Sequence, residues 1–145
     1  SDPVLVVNGD TFIDADLAAF VAAHREARAS ASVLCANVPS TARYGRLEID
    51  AKSDIERFAE KDPTLAGPGP INAGLYLFSQ AWFRAFAQGS AKSLENDVFA
   101  TSPAGTFHAI SAGPAEFIDI GTPESFAAAG AVFARAAGRT VSIPA

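Results

Sequence analysis

The stretch Val-Leu-Val-Val-Asn-Gly-Asp-Thr, residues 4–11, decides the fold class of this 145-residue chain. Its first half, residues 4–7, is an uninterrupted run of leucine and valine, which predicts a strand that is covered on both faces. The second half is polar and contains a glycine, so we expect the strand to end there. Apolar residues then recur at helical spacing over residues 17–29 and predict a helix capped by Asp14 or Asp16. A strand, a polar turn and a helix in this order are typical of an α/β protein.

The rest of the chain continues the alternation of strands and helices and later changes to hairpins. Further strands are predicted at residues 31–38, 46–50, 55–59, 71–78, 106–111 and 116–120. Further helices are predicted around Trp82, Phe83 and Phe86, over residues 93–100 with Ser93 as N-cap, and over residues 123–137 with Thr122 as N-cap. This order of elements predicts an α/β fold with a mixed sheet, in one domain over residues 1–145.

Composition narrows the class of function. The chain is 49% hydrophobic and 19% charged, which is enough apolar material to bury a core. The net charge of −5 and the lack of a basic run argue against nucleic-acid binding. No apolar stretch approaches the roughly 18 residues of a membrane span, and no leader opens the chain, so we expect no membrane partner and a cytoplasmic location. A lone cysteine, Cys35, excludes an internal disulfide and a cysteine-built metal site.

Two aspartates follow predicted strands: Asp10 after the first one and Asp119 at the end of the last one. In open α/β sheets, ligands bind beyond the carboxyl ends of the strands. Two carboxylates that meet there suit Mg²⁺, which takes oxygen ligands, few of them from the protein. The alternative is that the two aspartates only cap turns, beside Gly9 and Gly121, and the residues alone do not decide between these readings.

A second candidate site lies at Glu60 and Lys61, which follow a predicted strand. A lysine there can place a point charge on a phosphate, and a carboxylate can accept hydrogen bonds from two sugar hydroxyls. The alternative is a solvated ion pair in a loop. Tyr44 and Gly45 end a polar loop and by themselves predict only a turn.

The tripeptide Asn72-Ala73-Gly74 interrupts an apolar strand with residue types that strands disfavour. Glycine lets a ligand approach the backbone, and the asparagine amide offers both a donor and an acceptor. A β-bulge is the alternative interpretation, and the two are compatible.

Other patterns have a structural explanation. The segment Asp14-Ala15-Asp16 matches the Asp-x-Asp metal motif of many glycosyltransferases, but it opens an amphipathic helix, and helix capping explains it. His24 is predicted on a helix and His108 in a strand, and neither has a serine or cysteine partner at a recognisable motif. A nucleophilic triad therefore has no support. Cys35 lies in an apolar strand and is predicted to be a core residue.

Six short segments occur along the chain in the same order as in a known protein family. They are Val-Asn-Gly-Asp-Thr-Phe (7–12), Arg-Tyr-Gly (43–45), Phe-Ala-Glu-Lys (58–61), Ile-Asn-Ala-Gly-Leu-Tyr (71–76), Ser-Leu-Glu-Asn-Asp-Val-Phe (93–99) and Phe-Ile-Asp-Ile-Gly-Thr-Pro-Glu (117–124). Together these segments resemble the sugar-1-phosphate nucleotidyltransferases. Within that family the chain is most similar to the heptose-1-phosphate and mannose-1-phosphate guanylyltransferase branch.

The resemblance implies a three-layer α/β/α fold, Rossmann-like with a mixed sheet. It implies the reaction NTP + sugar 1-phosphate → NDP-sugar + pyrophosphate, with GTP and heptose or mannose 1-phosphate as the substrates of this branch. It also implies Mg²⁺ as the cofactor, held by Asp10 and Asp119. Lys61 would be the third catalytic residue, because the family pattern places it at the sugar phosphate.

The resemblance further implies a set of substrate-binding residues. Glu60 and Asn72 would bind sugar hydroxyls, and the backbones of Gly45 and Gly74 would lie close to the sugar. The remaining members of the set are Asn8, Gly9 and Tyr44.

One family feature does not occur in this chain. The family begins with a strand and a loop of the type Gly-x-Gly-Thr-Arg-Leu, which holds the triphosphate, followed by a Pro-Lys-Pro segment. This chain instead begins with Ser1 and contains no methionine. We therefore expect an N-terminally truncated domain with an exposed apolar sheet edge, covered by the missing segment or by self-association. We expect little activity from the chain alone, and the alternative function is a non-catalytic binding or assembly module.

Overall fold

A computed structural model gives the fold and describes residues 2–59, 64, 67–89 and 93–138. The strands are β1 (Val4–Val7), β2 (Thr11–Ile13), β3 (Ala31–Val38), β4 (Leu47–Ile49), β5 (Ile55–Phe58), β6 (Gly69–Phe78), β7 (His108–Ser111) and β8 (Phe117–Asp119). The helices are α1 (Leu17–Ala27), α2 (Gln80–Gln88) and α3 (Pro123–Ala137), with a short π-helix at Leu94–Phe99.

The central sheet is mixed, as predicted. Its strands lie in the order β1-β6-β3-β7, with β6 antiparallel to both of its neighbours and β7 parallel to β3. At the end of β1, Val7 pairs with Leu75, and the N–H of Asn8 donates to the carbonyl of Gly74 at 2.8 Å. The polar turn after β1 therefore lies beside the interrupted part of β6.

Helices cover both faces of this sheet, which gives the predicted three-layer α/β/α arrangement. On one face, Phe20 of α1 packs with Leu34 and Leu75. On the other face, Tyr76 belongs to a core that extends to Trp82 of α2 and to the buried end of the π-helix. Side chains that alternate along β3 and β6 thus enter two separate cores.

Strand β1 is less covered than its apolar run predicts. It lies at an edge of the central sheet, and the exposed fractions of Leu5 and Val7 are 44% and 53%. The prediction that this strand is covered on both faces is wrong for the described residues, because the core formed with α1 lies over β3 and β6. The predicted exposed apolar edge is present. Its cover by a further segment or by self-association stays a prediction.

Caps decide where the regular helices begin and end. Asp16 is the N-cap of α1, and its Oδ1 accepts the N–H of Ala19 at 3.0 Å. The helix ends at Ala27, before the predicted residue 29, because Arg28 adopts a left-handed backbone with φ of 52°. The predicted bounds of α3 are confirmed, with Thr122 in a reciprocal capping box.

The predicted helix over residues 93–100 is a π-helix. Ser93 acts as its cap, since the Ser93 hydroxyl accepts the N–H of Asn96 at 3.1 Å. Asp97 returns a contact by accepting the Ser93 N–H at 2.9 Å, and Phe99 is buried against the core. Among the described residues, no helix has the length and apolar character needed to cross a membrane.

Two small sheets lie beside the central one. Strands β4 and β5 form the predicted hairpin, and β2 and β8 form an antiparallel ribbon in which Thr11 lies opposite Asp119. The last predicted strand therefore does not join the central sheet, which corrects the view that Asp10 and Asp119 follow strands of one sheet. The physical reason is that β8 finds its hydrogen-bond partner in β2, while α3 packs on this ribbon through Phe133.

Two groups of the described core, the thiol of Cys35 and the imidazole of His24, were singled out in the sequence and are explained by their surroundings. Cys35 is a core residue as predicted, and burial raises the pKa of its thiol to about 12. His24 lies on α1 and His108 in β7, as predicted. The Nδ1 of His24 is 2.8 Å from the hydroxyl of Ser32, and both side chains are buried.

Candidate functional site

A cavity of about 760 Å³ opens among the β2–β8 ribbon, the β4–β5 hairpin, the turn before β4 and the π-helix. Its lining draws on segments that are far apart in the chain, which local folding alone does not bring together. The predicted site residues in the lining are Asn8, Asp10, Tyr44, Gly45, Asn72 and Asp119.

The two aspartates reach the cavity from neighbouring positions on the ribbon. Thr11 lies opposite Asp119, and the N–H of Ile120 donates to the Asp10 carbonyl at 2.9 Å. Asp119 also caps a turn, since its Oδ1 accepts the N–H of Gly121 at 2.6 Å. A carboxylate offers about four lone-pair positions, so one hydrogen bond leaves capacity for a cation. For Asp119, turn capping and ligand binding are therefore compatible.

Tyr44 and Gly45 lie in a tight turn at the rim of the cavity. Their N–H groups both donate to the Thr41 carbonyl, at 3.0 and 3.1 Å. Gly45 has φ of +76°, a left-handed conformation that favours glycine. The Tyr44 ring packs edge-on against Phe117, with 5.4 Å between ring centroids. Because Phe117 begins β8, this contact joins the turn to the strand that ends at Asp119.

Asn72 and Gly74 form the predicted bulge in β6. The register between β3 and β6 shifts there, and Gly74 has φ of +77°. Asn72 Oδ1 accepts the Gly74 N–H and Asn72 Nδ2 donates to the Tyr76 hydroxyl, each at 2.9 Å. A Cβ on Gly74 would lie 2.5 Å from Oγ1 of Thr11, so the backbone approach there requires glycine.

Four predicted site residues are not in the described lining. Gly9 and Gly74 lie outside it. The Gly74 carbonyl nevertheless accepts the backbone N–H of Asn8, which does line the cavity. Glu60 and Lys61 lie outside the residues that the structure describes. Their roles stay predictions.

The cavity also contains three cationic side chains that were not predicted as site residues, and of these only Arg43 belongs to one of the six segments. Arg43, Arg46 and Arg57 all line it. For two of them the sequence offers a positional signal, because Arg43 and Arg46 flank the predicted site residues Tyr44 and Gly45. Arg57 and Glu48 form an exposed ion pair with a short hydrogen bond, which lowers the pKa of Glu48 and raises the pKa of Arg57.

This cavity therefore holds both signs of charge. Its described lining contains the carboxylates of Asp10 and Asp119 together with the three arginines. Carboxylates suit a hard divalent cation, and guanidinium groups suit phosphoryl oxygens. The arrangement can bind a phosphorylated ligand together with its metal counter-ion.

A family model described as nucleotidyl transferase matches residues 1–135 of the chain. The chain belongs to the nucleotidyl transferase family. The match spans the central sheet, the ribbon and every residue of the cavity lining. It therefore confirms the family that the six sequence segments resemble.

Curated relatives in this family are longer than the chain. It is 31% identical over 132 residues to the mannose-1-phosphate guanylyltransferase of Mycobacterium tuberculosis. It is also 31% identical over 128 residues to the mannose-1-phosphate guanylyltransferase catalytic subunit beta of Xenopus tropicalis. Each alignment covers 87% of this chain and 35% of the relative. The chain thus spans about a third of the length of these curated relatives.

Solved structures show the same nucleotidyl transferase fold. The structure of HddC from Yersinia pseudotuberculosis superposes with a TM-score of 0.77 at 28% identity, covering 92% of this chain and 56% of that one. A structure of the same HddC complexed with GMP-PN gives a TM-score of 0.75 with the same coverage. These likenesses confirm the predicted α/β nucleotidyltransferase fold.

Proposed function

We propose that the protein to which this chain belongs transfers a nucleotidyl group from an NTP to a sugar 1-phosphate, giving an NDP-sugar and pyrophosphate. We propose GTP with mannose or heptose 1-phosphate as the substrates. The choice of GTP rests on relatives that are named guanylyltransferases and on the solved neighbour that holds GMP-PN. We expect the reaction in the cytoplasm, the compartment that supplies NTPs.

One observation carries this proposal. Asp10 and Asp119, which are far apart in the sequence, line a single cavity together with Asn72 and Gly45. The pairing of β2 with β8 brings Asp10 and Asp119 to neighbouring positions, and both residues then line the cavity instead of only capping turns away from it. Their convergence is what a transferase of anionic substrates requires, because such a reaction needs a cation held at a defined place.

The donor set of the cavity fits Mg²⁺. Within the described residues, Asp10 and Asp119 are not joined by a third acidic, histidine or cysteine side chain that would complete an all-protein metal site. Mg²⁺ suits such a pair, because it is usually held by one or two carboxylates together with waters and substrate phosphates. When bound, the ion would neutralise the negative charge of the phosphates.

The chain's own residues supply binding and orientation. The attacking phosphate oxygen is already anionic, so no general base is needed, and in-line attack at the α-phosphorus expels pyrophosphate. In this proposal Lys61 meets the sugar phosphate, while Glu60 and Asn72 bind sugar hydroxyls. The cavity's other proposed substrate contacts come from the segments around Asn8, Gly9, Tyr44, Gly45 and Gly74.

The test is an assay of the full-length protein with a panel of NTPs and sugar 1-phosphates. Pyrophosphate release is measured for every pair, and the NDP-sugar is identified by mass. We expect turnover with GTP and either mannose or heptose 1-phosphate. Absence of pyrophosphate with every pair, from protein shown to be folded by circular dichroism, would overturn the transferase proposal and favour a non-catalytic module.

A further inference from the structure

The cavity concentrates positive charge in a chain that is acidic overall. The net charge of the chain is −5, yet Arg43, Arg46 and Arg57 all line this one cavity. The same described lining contains Asp10 and Asp119, so the three guanidinium groups outnumber the two carboxylates, and the excess positive charge attracts anionic ligands. The three arginines therefore point to an anionic ligand group, in addition to any cation held by the aspartates.

The three arginines differ in what already neutralises them. Arg57 forms an ion pair with Glu48. In the described part of the chain, neither Arg43 nor Arg46 has a carboxylate within ion-pair distance. These two guanidinium groups are the ones without an ion pair there, although, after the hydrogen bond from Arg57, the charge of Arg46 also contributes to lowering the pKa of Glu48.

Both of these side chains are seated by the protein. The guanidinium carbon of Arg43 lies 5.7 Å from the centroid of the Tyr44 ring, a cation–π contact. Arg46 lies against Gly69, where a Cβ would come within 3.1 Å of its Cζ and Nε. The backbone carbonyl of Arg46 also accepts the N–H of Ala59 at 2.8 Å. Seating the groups in advance reduces the entropy that a ligand must overcome.

We propose that Arg43 and Arg46 bind a phosphoryl group of the substrate that occupies this cavity. The inference rests on the proposed function, which supplies phosphorylated substrates. A guanidinium presents its N–H donors in a planar fork that matches phosphoryl oxygens, and the resulting hydrogen bonds are charge-assisted. The phosphoryl group has two possible sources, the sugar 1-phosphate and the phosphates of the nucleotide, and the test separates them.

The test measures binding to the full-length protein by isothermal titration, with mannose 1-phosphate and pyrophosphate as separate probes. Arg43→Gln and Arg46→Gln are each expected to raise the Kd of at least one probe by about tenfold, and the double variant by more. An effect on mannose 1-phosphate alone assigns the arginines to the sugar phosphate, and an effect on pyrophosphate alone assigns them to the nucleotide. Either result supports the proposal.

A matched control separates local binding from a general change of charge. Arg84→Gln removes the same charge from an exposed position on α2 that does not line the cavity, and it is expected to leave both Kd values unchanged. Arg43→Lys and Arg46→Lys keep the charge without the planar fork, so they are expected to recover part of the lost affinity.

The outcomes distinguish this inference from the proposed function. Wild-type affinity of the folded double variant for both probes would overturn the arginine site, even if the wild-type protein releases pyrophosphate in the panel assay. Loss of probe affinity in the double variant, together with no turnover by the wild-type protein, would keep the arginine site and overturn the transferase.

Discussion

The side-chain amide of Asn72 donates a hydrogen bond to the hydroxyl of Tyr76 at 2.9 Å, across the bulge in β6. The amide oxygen accepts the N–H of Gly74 at the same time, so both ends of the side chain contact the protein. An amide has a second N–H and a second lone pair, which leaves capacity for a ligand. The residue proposed to meet sugar hydroxyls therefore also holds the bulge that shapes the cavity.

Asn72→Ala is expected to lower the free energy of unfolding by about 1–3 kcal/mol, because it removes both of these hydrogen bonds. Tyr76→Phe removes the Asn72–Tyr76 bond and keeps the bond between Asn72 Oδ1 and the Gly74 N–H. In urea denaturation, a double-mutant cycle is expected to give a coupling energy of about 1 kcal/mol between the two positions. Asn72→Ala should also raise the KM for the sugar phosphate more than Tyr76→Phe does, because only Asn72→Ala removes the amide proposed to contact the sugar hydroxyls. Additive costs in the cycle would show that this bond does not hold the bulge.

Gly74→Ala is expected to destabilise the protein by about 2 kcal/mol or more, since φ is +77° and the added Cβ would lie 2.5 Å from Thr11 Oγ1. Gly130→Ala is the matched control, because Gly130 lies inside α3 with open space at its Cβ position. That change is expected to stabilise by about 0.5–1 kcal/mol. Urea denaturation of both variants gives the comparison, and equal midpoints would contradict the strain argument.

Elements with local signals were predictable. Thr122 and Asp16 satisfy free N–H groups at helix starts, and α3 and α1 begin where these caps predict. The buried strand β3 has the bounds that its apolar run predicts. In these cases the physical cause lies within a few residues of the element itself.

The features that the sequence did not predict depend on pairing between segments that are distant in the chain. Strand β2 has three residues and no apolar run, and it is a strand because β8 pairs with it. Leu5 and Val7 have the same residue types as buried strand residues, and only their place at a sheet edge leaves them exposed. The resemblance predicted Asp10 as a site residue, whereas the place of Arg46 in the lining depends on a turn geometry that none of the six segments contains.

Stability is expected to fall as the pH drops below 6.5, through His24. Burial lowers the pKa of this histidine below 6.5; the charges of Arg25 and His108 act in the same direction, and Asp2 opposes them. The unfolded chain therefore binds this proton more readily than the folded one. The stabilising contribution is complete above pH 6.5 and is lost as the pH falls through the lower pKa of the folded state.

Urea midpoints measured from pH 7.5 to pH 5 test this dependence, and His24→Gln is expected to flatten the curve. NMR titration of the imidazole gives a direct check on the wild-type protein. A His24 pKa at or above 6.5 in the folded state would show that burial does not control this group.

Asp10→Asn and Asp119→Asn are each expected to lower kcat/KM of the full-length protein by about 100-fold, because each removes a negative charge from the proposed Mg²⁺ site. Asparagine keeps an acceptor oxygen, so Asp119→Asn retains a partner for the Gly121 N–H and the turn should survive.

Asp16→Asn is the control, since it makes the same chemical change at a helix cap outside the cavity, where asparagine caps as well as aspartate. Thermal unfolding with and without Mg²⁺ adds a readout that is independent of turnover. A stabilisation by Mg²⁺ that persists in both Asp10→Asn and Asp119→Asn would place the cation elsewhere.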